Sequence, residues 1–226
     1  MLKVWYNSKV GLIQSMTPIR RRGKMEEKLT KDEYDKYAAL CECGMRIVLA
    51  RIENLRQEAE IATTSRNPYA GIQHRIKTYE SAMNKCADRG LPGRLKDIRA
   101  MHDIAGIRII TLYKDDVYKV RDALVRQPSI EILEERDYIE NPKDNGYRSL
   151  HLIISVHVYF CETTKSVPVE IQIRTKAMDL WASVEHDCKY KNDAPSKDAP
   201  AMFAKIAQIL EEFDENAIRL RDDSAC

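Results

Sequence analysis

Two long helical patterns enclose the rest of the chain. Apolar residues recur every three or four positions over 37–59, which predicts an amphipathic helix from about 31 to 62 with one apolar stripe. Thr30 followed by Glu33 matches a capping box and favours a helix start at this point. A second stripe of the same spacing predicts a long helix over 199–221. Either stripe can pack on the core of the chain or pair with another subunit.

The middle of the chain alternates between strand and helix patterns. Strands are predicted at 70–77, 104–113 and 130–138 and in two runs that end at Thr175, and helices at 78–89, 95–101, 115–126 and 176–190. Asp115 or Asp116 is expected to cap the third of these helices, because a carboxylate there can accept free backbone N–H groups. This order of elements indicates an α/β domain.

The last predicted strand has one polar face. Between Val169 and Arg174 apolar and polar residues alternate, so a period of two places Glu170, Gln172 and Arg174 opposite the apolar side chains. Such a face lines a cleft or meets solvent. A solvated edge strand explains the pattern equally well when it is taken alone.

A polar loop over 141–151 precedes the two final strands. An Asn-Gly pair at 145–146 supplies turn chemistry. Lys143, Tyr147 and His151 bring a cation, an aromatic ring and an imidazole into this short segment, which suits a nucleotide. Tyr147 follows the turn, so its ring is expected to stand out from the loop and offer a flat face to a purine.

Composition limits the classes of function. The 226 residues are 44% hydrophobic, enough for one substantial core, and 37 Lys and Arg against 35 Asp and Glu give a net charge of +2. This balance argues against a bulk nucleic-acid or membrane binder, so any anion site must be local. Six cysteines without CxxC spacing favour a reducing cytoplasm. With no apolar run near the roughly 20 residues of a membrane span, a soluble cytoplasmic protein is expected.

The first residues differ in composition from the remainder. Residues 1–30 are interpreted as a basic, flexible extension, and residues 31–222 as a single domain that includes both terminal helices. The RRRGK cluster at 20–24 could contact RNA, although four cations in a tail are more often only solvated. Met25 is an alternative start of translation.

Four ordered motifs carry a resemblance to a known family. They are RIKTYESAMNK at 75–85, DIAGIRI at 103–109, NPKDNGYRSLH at 141–151 and VEIQIRT at 169–175. They resemble the synthetase domain of the RelA/SpoT family and, by length, its small stand-alone alarmone synthetases. The resemblance implies a nucleotidyltransferase-like fold, a mixed, largely antiparallel sheet flanked by helices, with long N- and C-terminal helices. It also implies transfer of the β,γ-pyrophosphate of ATP to the 3′-hydroxyl of GDP or GTP, which yields AMP and the stringent-response alarmones ppGpp or pppGpp.

The resemblance assigns the ATP-binding residues. Arg75 and Arg108 match arginines that stack on adenine, a role suited to planar guanidinium groups. Lys77, Ser81 and Lys85 match residues that hold the phosphates. Ser81 and Lys85, four positions apart, share one face of the predicted helix. A basic strand and helix of this kind, taken alone, are more often a solvated surface.

Two carboxylates are expected at the centre of the site. The resemblance assigns Asp103 and Glu170 to Mg²⁺, a hard cation that carboxylate and phosphate oxygens bind. Taken alone, Asp103 would be read as a residue that caps or ends a turn. Glu170 is also a candidate to accept the proton of the acceptor hydroxyl, although binding to Mg²⁺ weakens a carboxylate as a base.

The resemblance places the acceptor nucleotide on the polar loop and its neighbours. Tyr147 matches the residue that stacks on guanine. Contacts to the remainder of the acceptor are assigned to Lys143, Asn145, His151, Arg136 and Gln172.

The sequence leaves more than one possibility for the number of subunits and for the acceptor substrate. The small relatives and the apolar stripes of both terminal helices predict a homotetramer. Two other functions compete with alarmone synthesis. A toxin-like relative would pyrophosphorylate adenosine nucleotides or the 3′ end of tRNA, and a regulator would bind nucleotide or RNA without turnover. The intact carboxylates and phosphate-binding residues argue against the regulator.

Overall fold

The chain alternates helices and strands in the predicted order. A computed structural model describes residues 28–62, 66–191 and 198–224. Its helices are α1 (Lys31–Ile61), α2 (Tyr79–Asp88), α3 (Leu95–Arg99), α4 (Lys114–Val125), α5 (Lys176–Lys191) and α6 (Ala199–Asp223). Its strands are β1 (Gly71–Ile76), β2 (Ala105–Thr111), β3 (Glu131–Asp137), β4 (Leu150–Tyr159) and β5 (Thr164–Thr175). Each predicted element is present, and its ends shift by at most two residues.

The division of the chain at residue 30 stays a prediction. Residues 1–27 lie outside the described ranges, and with them the basic cluster at 20–24 and Met25. Contact with RNA and the choice of start therefore rest on sequence alone. Within the described ranges, no helix has both the length and the apolar composition to cross a membrane.

Five strands form one sheet in the order β1-β2-β5-β4-β3. β2 and β5 run parallel, and the other three neighbouring pairs run antiparallel. The predicted mixed, largely antiparallel sheet is confirmed. β5 lies at its centre, and the predicted apolar face of that strand is fully buried, with Val169, Ile171 and Ile173 all inaccessible to solvent.

Helix α1 begins at the predicted capping box and covers the apolar face of the sheet. The Thr30 hydroxyl accepts a hydrogen bond from the Glu33 backbone N–H at 3.3 Å, and the Glu33 carboxylate accepts one from the Thr30 N–H at 3.0 Å. Val48 and Ile52 on its stripe are completely buried, and the helix contacts β2, β4 and β5. The stripe of α1 therefore packs on the chain's own sheet.

Helix α4 begins before either predicted cap. Tyr113 occupies the N-cap position, so Asp115 and Asp116 lie in the first turn and the cap prediction is wrong. The physical reason is a competing use of the carboxylate, because the buried Asp116 pairs with Arg66 and Lys119. A first-turn carboxylate still interacts favourably with the helix dipole.

Helix α6 carries one buried carboxyl group. Asp214 is 1% exposed, and its Oδ2 accepts a hydrogen bond from the Thr175 hydroxyl at 2.7 Å. The same hydroxyl oxygen accepts the Met178 backbone N–H at 3.1 Å at the start of α5. Burial raises the pKa of Asp214 to about 6, although the hydrogen bond from Thr175 acts in the opposite direction.

We expect this carboxyl group to make folding stability depend on pH. Since the folded pKa of Asp214 lies above its ordinary value of 3.8, its stabilising contribution is fully present below about pH 4 and is lost as pH rises through about 6. A pKa difference of this size corresponds to roughly 3 kcal/mol. Urea titration gives the free energy of unfolding of the native protein and of Asp214→Asn at each pH. The native value minus the variant value should fall by roughly 3 kcal/mol between about pH 4 and pH 7. A constant difference would contradict the assignment.

Candidate active site

Strand register builds one polar face of the sheet. Backbone pairing across all five strands aligns a row of neighbours, namely Gln73, Arg108, Gln172, His151 and Arg136. In the adjacent row, Gly106 pairs with Arg75 on one side and with Glu170 on the other. Because side chains alternate along a strand, both rows point to the same face. The sheet thus brings together residues from all four sequence motifs.

A first cavity of about 210 Å³ lies over this face. Its lining includes Arg75 and Arg108, which are predicted to bind ATP, and Asp103 and Glu170, which are predicted to hold Mg²⁺. The Arg108 guanidinium is held in place, because it donates to Gln73 Oε1 at 3.3 Å and pairs with Asp179 Oδ1 at 3.1 Å.

A second cavity, of about 440 Å³, lies beside the polar loop. All six residues predicted to bind the acceptor line it: Arg136, Lys143, Asn145, Tyr147, His151 and Gln172. The two cavities share the residues Arg75, Asp103, Glu170 and Gln172. Two anionic molecules can therefore bind on either side of one carboxylate pair.

Asp103 is held by two lysines. Its Oδ2 accepts hydrogen bonds from Lys77 at 2.7 Å and from Lys85. Burial acts to raise the pKa of Asp103, but the two lysines outweigh burial and hold the pKa below its ordinary value. The other oxygen, Oδ1, is buried and has no hydrogen-bond partner among the described residues. An ionised carboxylate with one such oxygen suits a divalent cation.

Glu170 is fixed through both carboxylate oxygens. His151 Nδ1 lies 3.2 Å from Oε1, and Gln172 Nε2 donates to Oε2 at 3.1 Å. Burial acts to raise the pKa of Glu170, but the contact with His151 outweighs it, and the net pKa lies below the ordinary value. Glu170 is thus ionised at neutral pH, as both a cation ligand and a proton acceptor require.

The predicted phosphate-binding residues are only partly brought together. Lys85 lines the second cavity, whereas Lys77 lines neither cavity and donates a hydrogen bond to Asp103, which lines both. Ser81 lines neither cavity. Its backbone N–H donates to the Thr78 hydroxyl and its own hydroxyl accepts from Thr78, so this serine is engaged in the cap of α2.

The ring of Tyr147 is packed into the site, so the expectation that it stands out from the loop is wrong. It contacts Tyr138, His151 and Trp181 edge-on, with centroid distances from 5.8 to 6.1 Å. Its hydroxyl lies 2.8 Å from His151 Nε2 and accepts a hydrogen bond from Arg174 at 3.1 Å. The ring is therefore oriented before an acceptor binds.

A lysine ammonium covers part of the aromatic surface. Lys143 Nζ lies 4.6 Å from the centroid of Tyr138 and 4.8 Å from that of Tyr147. Such cation–π contacts are weak at exposed sites, about 0.5–1 kcal/mol. A purine that stacks on Tyr147 competes with Lys143 for this surface.

Helix α6 supports the polar loop. Gly146 has a φ of +86°, and a Cβ at this position would lie 2.5 Å from the Cβ of Ala207 on α6. Glycine is therefore required both by the backbone conformation and by the close approach of the helix. Two residues further on, Arg148 Nε lies 3.0 Å from Glu211 Oε2 on the same helix.

Three further residues belong to the site although sequence reasoning gave them no role in it. Tyr138 and Glu185 line the second cavity, and the buried Arg174 donates a hydrogen bond to Tyr147, which lines the same cavity. Tyr138 could have been found, because it follows Arg136 by two positions and a period of two puts them on one face. Glu185 accepts a hydrogen bond from Asn145 at 3.2 Å, across 40 residues, and no local pattern signals such a contact.

The fold and the joined cavities define an α/β domain with a polar cleft built around a carboxylate pair. A family model described as the region found in RelA / SpoT proteins matches residues 74–195. The chain belongs to the RelA/SpoT family.

Individual relatives agree with this membership. GTP pyrophosphokinase YwaC of Bacillus subtilis (strain 168) is 43% identical over 160 residues, which cover 70% of this chain and 76% of that protein. GTP pyrophosphokinase YjbM of the same strain is 33% identical over 70% of this chain and 74% of its own length. The crystal structure of small alarmone synthetase 1 from Bacillus subtilis, bound to its product pppGpp, matches with a TM-score of 0.78 and 27% identity, over 85% of this chain and 98% of that one. The predicted family and fold are confirmed.

Proposed function

We propose that this chain is a GTP pyrophosphokinase that transfers the β,γ-pyrophosphate of ATP to the 3′-hydroxyl of GDP or GTP. The observation that carries this proposal is the pair of cavities that share Asp103 and Glu170. Transfer between two nucleotides requires both to be held against one charged centre. YwaC and YjbM carry the same activity in their names. The products are AMP and ppGpp or pppGpp, made in the cytoplasm.

The first cavity takes ATP in this proposal. Arg75 and Arg108 offer planar guanidinium groups to the adenine. Lys77 and Lys85 converge on Asp103 at the point where the cavities join, and their charges suit the phosphates that must lie there. The acceptor base stacks on Tyr147 in the second cavity, with its 3′-hydroxyl directed at the carboxylate pair.

The carboxylate pair fits a Mg²⁺ ion. Asp103 and Glu170 are both ionised, and Asp103 Oδ1 is a buried oxygen with no hydrogen-bond partner in the described chain. Mg²⁺ takes one or two protein carboxylates and completes its shell with water and phosphate oxygens. The described residues contain no group of three or more His, Cys, Asp or Glu side chains placed to hold a metal ion. When bound, the ion would neutralise charge on the transferred pyrophosphate.

The reaction exchanges one phosphorus–oxygen bond for another. The acceptor 3′-oxygen bonds to the β-phosphorus while the bond from that phosphorus to the oxygen bridging the α-phosphate breaks. AMP leaves with the electron pair. The hydroxyl proton passes to Glu170, whose two oxygens are already oriented by His151 and Gln172. Positioning and charge neutralisation are therefore the main contributions of the protein.

Product analysis with a panel of acceptors tests this function. ATP and Mg²⁺ are incubated with GMP, GDP, GTP, ADP or tRNA in separate reactions. We expect 3′-pyrophosphorylated guanosine nucleotides and AMP, because groups that read a guanine edge would be left unpaired by adenine. Faster reaction of ADP or tRNA would favour the toxin-like alternative. Binding of ATP and GDP without product would favour a regulator.

A homotetramer is the proposed assembly. Helix α6 exposes a line of large apolar side chains, Met202, Ile209, Phe213 and Leu220, each 54–69% accessible. Their spacing of seven, four and seven residues places them on one face of the helix. The stripe of α1 is buried on its own sheet, so the exposed face of α6 supports the contact between subunits.

We expect light scattering at micromolar concentration to give a mass of four times the 26.1 kDa chain. Phe213→Glu places a charge within the exposed line and should produce smaller species. Gln208→Glu adds the same charge to another face of α6 and should leave the mass unchanged. A native species of 26.1 kDa alone would reject the tetramer.

A further inference from the structure

One buried guanidinium group, that of Arg174, donates hydrogen bonds to two residues that line the second cavity, Gln172 and Tyr147. Arg174 is 1% exposed, and on β5 it lies on the same face as Glu170 and Gln172. Arginine is almost never buried to this extent unless it is paired. Its nearest carboxylate contact is a loose one, 3.6 Å from Nη1 to Asp179 Oδ1. Ion pairing alone therefore does not account for its position.

The hydrogen bonds of Arg174 begin two chains that end on the same carboxylate. Its Nη2 donates to Gln172 Oε1 and to the Tyr147 hydroxyl, the latter at 3.1 Å. In the first chain, Gln172 Nε2 donates to Glu170 Oε2 at 3.1 Å. In the second, the Tyr147 hydroxyl lies 2.8 Å from His151 Nε2, and His151 Nδ1 lies 3.2 Å from Glu170 Oε1.

Arginine sets the direction of both chains because it can only donate hydrogen bonds. Gln172 must present its oxygen to Arg174, which leaves its amide N–H group for Glu170. The Tyr147 oxygen accepts from Arg174. Because the ionised Glu170 can only accept a hydrogen bond from Nδ1, Nε2 of a neutral His151 is free to accept the Tyr147 hydrogen. A neutral His151 then carries its hydrogen on Nδ1 and donates it to Glu170.

We propose that Arg174 is a positioning residue, which fixes the Gln172 amide and the His151 tautomer so that each oxygen of Glu170 receives a hydrogen bond. This inference deepens the proposed function and rests on it. Tyr147 belongs both to the acceptor-stacking surface and to one of the chains. Arg174 therefore connects the binding of the acceptor base to the orientation of the carboxylate that meets the acceptor hydroxyl.

Kinetics of two variants separate positioning from folding. Arg174→Met removes every donor but keeps a long side chain, and circular dichroism checks that the variant is folded. We expect kcat to fall about 10- to 100-fold, as for loss of other orienting partners, with a higher KM for GDP and little change in the KM for ATP. Arg174→Lys keeps a charge and a donor and should recover part of kcat. Unchanged kcat in the folded Met variant would overturn the proposal.

The His151 tautomer gives a readout that needs no turnover. In ¹⁵N-labelled protein at alkaline pH, the imidazole signals of His151, assigned with His151→Gln, should report hydrogen on Nδ1. The signals should shift towards the Nε2–H form in Arg174→Met and in Tyr147→Phe, which interrupts the same chain. Hydrogen on Nε2 in the native protein, or no shift in Arg174→Met, would overturn the proposal. Because the signal is independent of product, it also distinguishes this failure from a failure of the proposed function.

Discussion

Glu170→Gln and Asp103→Asn should each lower kcat by at least about 10²- to 10³-fold while the domain stays folded. Both changes keep the size of the side chain and remove one negative charge. In Glu170→Gln the site loses a cation ligand and its proton acceptor together. In Asp103→Asn it loses the oxygen pair that faces Lys77, Lys85 and the proposed Mg²⁺.

Turnover at saturating ATP and GDP measures this loss, and circular dichroism checks the fold. Glu131→Gln provides the matched control, because Glu131 is exposed on edge strand β3 and lines neither cavity. The control should retain full activity. Near-native turnover in Glu170→Gln would refute the assignment of the carboxylate pair.

Tyr147→Ala should raise the KM for GDP and GTP by roughly 10- to 100-fold, since stacking on an aromatic ring contributes about 1–3 kcal/mol. ATP binding should change little, because Arg75 and Arg108 lie on β1 and β2, away from the polar loop. Loss of the hydroxyl also interrupts the chain to His151, so kcat should fall as well.

Tyr147→Phe separates the two contributions of this side chain. This variant keeps the ring, so its KM for GDP should stay close to the native value. It lacks the hydroxyl, so its kcat should fall as it does in Tyr147→Ala. Calorimetric titration with a non-hydrolysable ATP analogue checks the donor side. An unaltered KM for GDP in Tyr147→Ala would show that the acceptor base binds elsewhere.

Local periodicity was sufficient to predict the elements but not the order of the strands. The alternation over 169–174 identified β5 and its two faces, and Thr30 with Glu33 marked the start of α1. The parallel pairing of β2 with β5 joins residues about 60 positions apart, and no local pattern encodes such a pairing. That topology followed from the family resemblance.

Two predictions were wrong because residues distant in sequence bind the side chain concerned. Asp115 or Asp116 was expected to cap α4, but both lie in its first turn, and Arg66 binds the Asp116 carboxylate from outside the helix. Tyr147 was expected to project from its loop, but Trp181 and Arg174 hold its ring and its hydroxyl. All six residues predicted to bind the acceptor line one cavity, whereas Ser81 of the first motif lines neither cavity. Where local sequence patterns do not predict the position of a side chain, contacts between secondary-structure elements determine it.

ATP labelled at its β-phosphate tests pyrophosphate transfer most directly. The native protein is incubated with this ATP, GDP and Mg²⁺, and the products are separated and analysed for the position of the label. We expect the label on the phosphorus attached to the guanosine 3′-oxygen, with one AMP formed for each labelled product. Both products should form at least about 10²-fold more slowly in Glu170→Gln. Label that appears only in ADP or in free pyrophosphate, with none on guanosine, would contradict the proposed function.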